Sequence, residues 1–185
     1  MTWALVVVDV QNDFADARGS LAVADAADVI PVVNALVAET PVVVYSQDWH
    51  PPVTPHFATS GGTWPVHCVQ ATWGAELHPD LDVRGDVVRK GTGGEDGYSA
   101  FTVRDPTTGV ATATTLTETL RAAHVTALVV VGLATDYCVR ATALDGLALG
   151  WPVTVVRDAV RAVDLQPGDG DRALAELSAA GVVLQ

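Results

Sequence analysis

Short, unbroken runs of apolar residues alternate along the chain with longer segments of helical periodicity. The first run is Trp3–Val8, and similar runs follow at 41–45, 86–89, 127–131 and 152–156, with a weaker sixth at 182–184. Runs without polar alternation are typical of strands that are buried on both faces, as in parallel sheets. The chain is therefore expected to contain about six mainly parallel strands.

Four intervening segments, at 28–39, 115–123, 136–149 and 169–180, have the three- and four-residue apolar spacing of helices. Strands that alternate with helices predict crossover connections and helices on both faces of the sheet. The predicted fold class is therefore α/β, a three-layer doubly wound sheet. No linker-like stretch divides the 185 residues, so residues 1–185 are expected to form a single domain.

The composition excludes several classes of protein. Hydrophobic residues make up 49% of the chain and charged residues 17%, the opposite of a disordered composition. The formal charge is −12, and the sequence has no basic stripe for nucleic acid. The longest apolar runs, such as 127–133, are under half the ~20 residues of a membrane-spanning helix. No signal-peptide pattern is found, so the cytoplasm is the expected location.

The residues that end the strands carry the chemistry, because ligands of open α/β sheets bind beyond the carboxyl ends of the strands. Asp9 ends the first run, Lys90 ends the third, and Cys138 follows the fourth after a turn that contains glycine. If the strand predictions hold, an acid, an ammonium group and a thiol meet at one edge of the sheet. That grouping is what thiol-based acyl transfer requires.

Each of these residues also has a purely structural interpretation. Cys138 lies about two residues into a predicted helix, whose N-terminus would lower the thiol pKa, but it could equally be a buried core cysteine. Lys90 is the only lysine, and the alternative is a surface residue without a role. Asp9 could simply cap the segment that follows it. The other cysteine, Cys68, leaves the chain with too few for a disulfide scaffold.

Three of the five histidines, His50, His56 and His67, fall within 18 residues. Asp48 and His50 are two residues apart on an extended segment, so their side chains point to the same side. A carboxylate with imidazoles suits a divalent transition metal such as zinc, manganese or iron. The alternative is a loop that carries scattered histidines without a ligand.

Two long irregular segments are predicted, at 48–79 and 91–113, and loops of this length in a compact protein are usually functional. They contain the aromatic residues Trp49, Phe57, Trp64, Trp73, Tyr98 and Phe101, and Phe14 follows the first strand. Some of these must pack the loops, but together they offer stacking partners for a flat aromatic substrate. His78 and His124 are interpreted as surface residues.

With these residues in view, the chain resembles the nicotinamidase/pyrazinamidase enzymes of the isochorismatase-like hydrolase superfamily. The motifs that mark the superfamily are Asp9-Val10-Gln11-Asn12-Asp13-Phe14, Lys90-Gly91 and Gly132-Leu133-Ala134-Thr135-Asp136-Tyr137-Cys138-Val139. Those that mark its metal-containing branch are Asp48-Trp49-His50 and Trp64-Pro65-Val66-His67-Cys68, and Gly19-Ser20-Leu21, His56-Phe57 and Tyr98-Ser99-Ala100-Phe101 also match. Two features depart from the family: Tyr137 stands where many members carry histidine, and 92–97 does not align residue by residue.

The resemblance implies a strand order of 3-2-1-4-5-6 and a catalytic triad of Asp9, Lys90 and Cys138. It implies one divalent transition metal, zinc before manganese or iron, held by Asp48, His50 and His67, with His56 a fourth ligand in some members only. It implies a cis peptide between Leu133 and Ala134, and an oxyanion hole formed by the amides of Ala134 and Cys138. The positions that match the substrate pocket are Phe14, Leu21, Trp64, Tyr98, Leu133 and Tyr137.

The activity that the resemblance implies is hydrolysis of nicotinamide to nicotinate and ammonia through a thioester, with pyrazinamide as a further substrate. One alternative is another amide or ureide hydrolase of the superfamily, which would keep the triad without a metal. Another is a catalytically silent binding module with the same fold. The metal-type residues argue against the first alternative and the intact triad against the second. Self-association into a homo-oligomer is left open by the sequence.

Overall fold

The computed structural model describes residues 2–185 and contains one large parallel sheet with a small hairpin beside it. The strands are β1 (Trp3–Val8), β2 (Val42–Asp48), β3 (Asp86–Lys90), β4 (Thr102–Arg104), β5 (Ala111–Ala113), β6 (Ala127–Leu133), β7 (Val153–Arg161) and β8 (Val183–Leu184). The order in the sheet is β3-β2-β1-β6-β7-β8, and every pairing is parallel. Counting the sheet strands alone, this is the predicted order 3-2-1-4-5-6, which is confirmed.

The sheet is covered on both faces. The helices are α1 (Asn12–Ala15), α2 (Val29–Glu39), α3 (Leu116–Ala122), α4 (Arg140–Ala148) and α5 (Asp169–Ala180). On β1, Ala4, Val6 and Val8 pack into a core with residues of α3, α4 and α5, whereas Leu5 and Val7 pack into a second core with α2. All five side chains are fully buried, which explains why the first run lacks polar alternation. The predicted three-layer architecture is confirmed.

Polar residues extend the strands beyond the apolar runs. β2 continues through Ser46 and Gln47 to Asp48, and β3 includes Lys90. These residues stay in the sheet because their side chains find partners: the Ser46 hydroxyl donates to Asp9, and the Gln47 amide donates to the Ala75 carbonyl. Asp48 and Lys90 are therefore the last residues of their strands.

The second long segment, 91–113, is not irregular throughout, as the sequence had suggested. It contains β4 and β5, which pair antiparallel with Thr102 opposite Ala113. The hairpin escapes detection because each strand has three residues and β5 is exposed, so neither has an apolar pattern. Among residues 2–185, no helix has the length and apolar character needed to cross a bilayer.

Candidate active site

The carboxyl edge of the sheet brings together Asp9, Lys90 and Cys138. Lys90 Nζ lies 3.0 Å from Asp9 Oδ2 and 3.7 Å from Cys138 Sγ. A carboxylate oxygen of Asp9 and the Cys138 sulfur are within 4.8 Å of each other. Asp9 and Lys90 are almost completely buried, and Cys138 is 7% exposed. The three side chains thus form a compact acid–ammonium–thiol group in which only the thiol reaches the solvent side.

Ser46 orients the Asp9 carboxylate, and no pattern in the sequence predicts this contact because the two residues are 37 positions apart. Its hydroxyl donates a 2.6 Å hydrogen bond to Asp9 Oδ1. Among the described residues, Asp9 Oδ2 accepts no hydrogen bond of good geometry, although the Lys90 ammonium is close. Oδ2 therefore keeps a lone pair for the proton of the nearby thiol.

The charges in this group determine where the proton resides. Burial raises the pKa of the Cys138 thiol well above its ordinary value, against the pull of Lys90. Burial also raises the pKa of Asp9, again against Lys90. For Lys90, burial alone would lower the pKa, but the carboxylates of Asp48 and Asp9 outweigh it and raise the pKa well above normal. Burial therefore favours the protonated form of the Cys138 thiol, whereas the helix N-terminus alone was expected to lower the thiol pKa.

Cys138 lies in a tight turn that follows β6. The Leu133–Ala134 peptide is cis, as the resemblance implied. Residues Thr135–Val139 form a π-helical turn that leads into α4. The Ala134 carbonyl accepts the N–H groups of Tyr137 and Val139, both at 3.1 Å, but not that of Cys138. Within residues 2–185, the Ala134 N–H has no acceptor, so this amide is available to a developing oxyanion.

Gly132 makes the approach to this turn possible. Its φ angle is +108°, a conformation that side chains other than glycine rarely adopt. A Cβ atom at this position would lie 2.1 Å from the Val8 carbonyl oxygen. The absence of a side chain therefore lets the end of β6 lie directly against the end of β1, next to the turn that carries Cys138.

The three clustered histidines and Asp48 form the adjacent wall of the site. One ring nitrogen from each of His50, His56 and His67 lies within 4.8 Å of the others, and all three rings are buried. Asp48 Oδ2 lies 3.6 Å from His50 Nε2 and 3.8 Å from His67 Nε2. The other Asp48 oxygen, Oδ1, accepts a short hydrogen bond from Lys90. Asp48 thus connects the imidazole cluster with the acid–ammonium–thiol group.

The donor set fits a divalent transition metal. Both ring nitrogens of His50 are buried without a hydrogen-bond partner among residues 2–185, which is costly unless a ligand occupies one of them. His67 donates its Nδ1–H to the Pro65 carbonyl at 2.7 Å, so its Nε2 lone pair faces Asp48. Burial lowers the pKa of His67 to about 4, which keeps the ring neutral as a metal ligand must be.

Two polar residues that support this cluster had no assigned role in the sequence. Gln11 is fully buried and holds the backbone of Asp48 at two points: its amide nitrogen donates to the Asp48 carbonyl and its oxygen accepts the Asp48 N–H, both at 2.8 Å. Asp96, from the segment that does not align, accepts the Nδ1–H of His56 at 2.8 Å. Only the tertiary structure brings either residue to its partner, although Gln11 lies in a motif that marks the family.

A cavity opens in front of both groups. The space that it encloses is about 390 Å³, a figure that includes open solvent at its mouth. Its lining includes Cys138, Ala134, Asp48, His56 and His67, together with all six residues expected to bind substrate: Phe14, Leu21, Trp64, Tyr98, Leu133 and Tyr137. Asp9, Lys90 and His50 lie behind this surface. Val23 and Val163 also line it, and as isolated valines they carried no signal in the sequence.

Aromatic residues form one side of the cavity. The Trp64 indole N–H donates to the Tyr98 hydroxyl at 3.1 Å. Tyr137 packs edge-on against Trp64, with ring centroids 4.9 Å apart, and against Tyr98 at 5.3 Å. Tyr137 therefore completes an aromatic wall together with Trp64 and Tyr98.

One histidine outside the cluster was interpreted wrongly. His78 is not a surface residue, since it is 9% exposed. Its backbone N–H donates to the Val10 carbonyl, and its Nδ1 accepts the N–H of Asp80. The segment around His78 folds back onto the end of β1, which an acidic turn in the sequence does not reveal. His124 is exposed, as predicted.

Comparisons with a family model, with curated proteins and with solved structures all point to the same family. Residues 3–185 match the isochorismatase domain. The nicotinamidase of Escherichia coli (strain K12) is 40% identical over an alignment that covers 98% of this chain and 93% of that protein. The crystal structure of the pyrazinamidase of Pyrococcus horikoshii in complex with zinc is 38% identical, with a TM-score of 0.87 and coverage of 100% and 99% of the two chains.

A second solved structure carries a ligand related to the activity that the resemblance implies. PnC1 from L. infantum in complex with nicotinate is 38% identical, with a TM-score of 0.91 and coverage of 100% of this chain and 92% of that chain. The resemblance found in the motifs is thus confirmed over the whole chain. The match from residue 3 to residue 185 shows that the chain belongs to the isochorismatase family.

Proposed function

We propose that the chain is a nicotinamidase, which converts nicotinamide and water to nicotinate and ammonia and also hydrolyses pyrazinamide. The observation that carries the proposal is a single cavity served by both the acid–ammonium–thiol group and the Asp48–histidine cluster. The similarity to the Escherichia coli nicotinamidase and to a structure with nicotinate bound supports it. The aromatic wall of Trp64, Tyr98 and Tyr137 suits a flat pyridine ring.

In the first half of the reaction, Asp9 Oδ2 takes the proton of the Cys138 thiol. The thiolate attacks the carboxamide carbon, and the amides of Ala134 and Cys138 bind the oxygen as it becomes negative. The buried Lys90 ammonium lies near both groups and stabilises the negative charge first on the Asp9 carboxylate and then on the thiolate. The tetrahedral intermediate then collapses: its C–N bond breaks, and the protonated Asp9 gives its proton to the leaving ammonia.

In the second half, a water molecule attacks the thioester carbon while Asp9 accepts one of its protons. The C–S bond breaks and the thiolate regains the proton from Asp9. The product forms as nicotinic acid, releases its carboxyl proton to solvent and leaves as nicotinate. Each turnover therefore consumes one amide and one water and returns the enzyme to its resting protonation. The raised pKa values of Asp9 and Cys138 suit this exchange, because the two groups compete for the same proton.

We assign Asp48, His50, His67 and His56 as the residues that hold one divalent transition metal. The zinc complex of the Pyrococcus horikoshii pyrazinamidase supports zinc as that ion. When bound, the metal supplies a coordination position for the nitrogen of the substrate ring and so orients the carboxamide. Neutral imidazoles and a carboxylate are also compatible with manganese or iron.

Ammonia release from nicotinamide, measured with and without a chelator, tests this function. Chelator-sensitive release supports a metal-containing nicotinamidase. Full activity in chelator from protein that contains no metal would instead favour a metal-free amide or ureide hydrolase. Absence of ammonia from any carboxamide would favour a silent binding module.

Replacing His50 or His67 with alanine is expected to remove bound metal and to raise the KM for nicotinamide. Neither histidine belongs to the acid–ammonium–thiol group. Cys138 should therefore remain reactive toward an alkylating agent in both variants. Elemental analysis of the purified proteins and alkylation kinetics measure the two effects separately. Loss of thiol reactivity along with the metal would show that the two groups are not independent.

Replacing Gln11 with leucine is expected to lower metal affinity ~10–100-fold, the range for groups that orient metal ligands. The change removes both contacts that hold the backbone of Asp48 and leaves buried polar groups unpaired, at ~1–3 kcal/mol each. Gln47→Leu is the matched control, because the Gln47 side chain donates to the same Ala75 carbonyl as Gln11 but makes no hydrogen bond to Asp48. Metal titration and thermal unfolding distinguish them: equal loss of affinity in both variants would mean that Gln11 acts only through packing.

A further inference from the structure

The contact between His56 and Asp96 has no part in the reaction described above. We infer that Asp96 is a positioning residue, which fixes the tautomer and the ring orientation of His56 so that its Nε2 becomes the fourth protein ligand of the metal. The inference rests on the proposed function, since it concerns how the metal is held. It assigns a role to the segment 92–97, where the sequence departs from the family pattern.

The first argument is the tautomer. His56 Nδ1 lies 2.8 Å from Asp96 Oδ1, and an ionised carboxylate can only accept, so Nδ1 carries the proton. In a neutral imidazole the other nitrogen, Nε2, then has the lone pair. A carboxylate behind a histidine is the usual device for directing that lone pair toward a metal and for making it more basic.

The second argument is the direction of the ring. His56 stacks on His50 with centroids 4.7 Å apart and an interplanar angle of 21°. Its centroid lies 5.2 Å from that of His67. The stacking on His50 restricts tilting of the ring, and the bond to Asp96 restricts its rotation. His56 also lines the cavity, 8% exposed, so its remaining nitrogen belongs to the same space as Asp48 and His67.

The third argument is that Asp96 is itself held in place. Its backbone exchanges two hydrogen bonds with Arg104, of 2.7 and 2.5 Å, which ties it to β4. The Gly97 N–H donates to Asp96 Oδ1 at 2.9 Å, the same oxygen that accepts from His56. The β4–β5 hairpin outside the main sheet therefore serves as the frame that carries the carboxylate to the histidine cluster.

The competing explanation is that Asp96 has only a structural role, in ion pairs with His56 and Arg104. The Asp96 side chain is 25% exposed, and Arg104 Nη2 lies 3.6 Å from its other oxygen. The Arg104 side chain is 60% exposed, and such an ion pair contributes little to stability. If the His56–Asp96 contact only stabilised the loop around His56, its loss would lower the stability of the metal-free protein and leave metal affinity unchanged.

The experiment measures Co²⁺ affinity by competition with a chelator, together with the visible absorption of bound Co²⁺. Asp96→Ala is expected to weaken Co²⁺ binding ~10–100-fold and to change the spectrum, because His56 loses its fixed orientation. Asp96→Asn keeps an oxygen that can accept the hydrogen bond from His56, so its Co²⁺ affinity should fall less than that of Asp96→Ala. Arg104→Ala, the matched control, removes a contact of Asp96 that does not reach His56 and should bind Co²⁺ as the wild type does.

A double-mutant cycle tests whether Asp96 acts through His56. The pair Asp96→Ala with His56→Ala should bind Co²⁺ no more weakly than His56→Ala alone, because the same ligand is lost in both. Additive losses would overturn the inference, as would an Asp96→Ala variant with wild-type affinity and spectrum and only a lower unfolding temperature. If wild-type protein failed to bind Co²⁺ at all, the metal assignment in the proposed function would fall, and this inference with it.

Discussion

Replacement of Cys138 by alanine is expected to reduce nicotinamide hydrolysis by about 10⁴-fold or more, the scale seen when a nucleophile is removed from a catalytic group that acts as a unit. No other described group can form the thioester, because the only other cysteine, Cys68, is fully buried and does not line the cavity. The fold should persist, since the change removes one sulfur atom at the edge of a cavity. Steady-state kinetics and a thermal unfolding curve measure both effects.

Cys68→Ala is the matched control for this variant. Cys68 contributes to the site through its backbone: its N–H donates to Asp13 and its carbonyl accepts the N–H of His50, and alanine keeps both bonds. Most of the activity should therefore remain. An inactive Cys68 variant beside an active Cys138 variant would show that the nucleophile has been assigned to the wrong cysteine.

The fold could be predicted because its strongest signal is local. β1 is buried on both faces, so its residues must be apolar without alternation, and this pattern is visible in the sequence. The hairpin β4–β5 could not be predicted in the same way. Its strands are short, and β5 is exposed along its whole length, so burial imposes no pattern on it.

The candidate site could be predicted where its residues stand at strand ends, as Asp9, Asp48 and Lys90 do. Parallel strands place their carboxyl ends at one edge, so residues distant in sequence meet there by topology alone. Ser46, Gln11 and Asp96 are different, because each matters through one specific partner. Whether Gln11 contacts Asp48 depends on how a loop and a strand pack, and no spacing in the sequence encodes that contact.

The charge state of the nucleophile also required the structure. Placement near a helix N-terminus suggests a lowered thiol pKa, because the helix dipole favours an anion. The structure adds nearly complete burial, which raises the pKa of Cys138 and outweighs the neighbouring Lys90. The mechanism that we propose therefore uses Asp9 as a base and does not begin from a preformed thiolate.

Lys90→Arg is expected to lower kcat/KM for nicotinamide by at least ~100-fold, nearly as much as Lys90→Ala, because a preorganised electrostatic partner is lost in both. The ammonium fits between two carboxylates and a thiol, with Asp9 at 3.0 Å and Cys138 at 3.7 Å, and the Lys90 side chain is inaccessible to solvent. A guanidinium is planar, larger and has five donors, so it cannot occupy that position as a compact charge.

The two Lys90 variants should lose similar amounts of activity but different amounts of stability, and this difference provides the test. Lys90→Ala leaves the carboxylates of Asp9 and Asp48 buried without their cation, and breaking such a group costs ~3–5 kcal/mol in stability. Lys90→Arg keeps the charge, so its unfolding temperature should fall less than that of Lys90→Ala, while its activity is still lost. Kinetics of both variants measure how far activity depends on the shape of the cation, and thermal unfolding measures how far stability depends on its charge. An arginine variant within tenfold of wild-type activity would mean that any buried cation suffices at this position and that the compact ammonium has no special role.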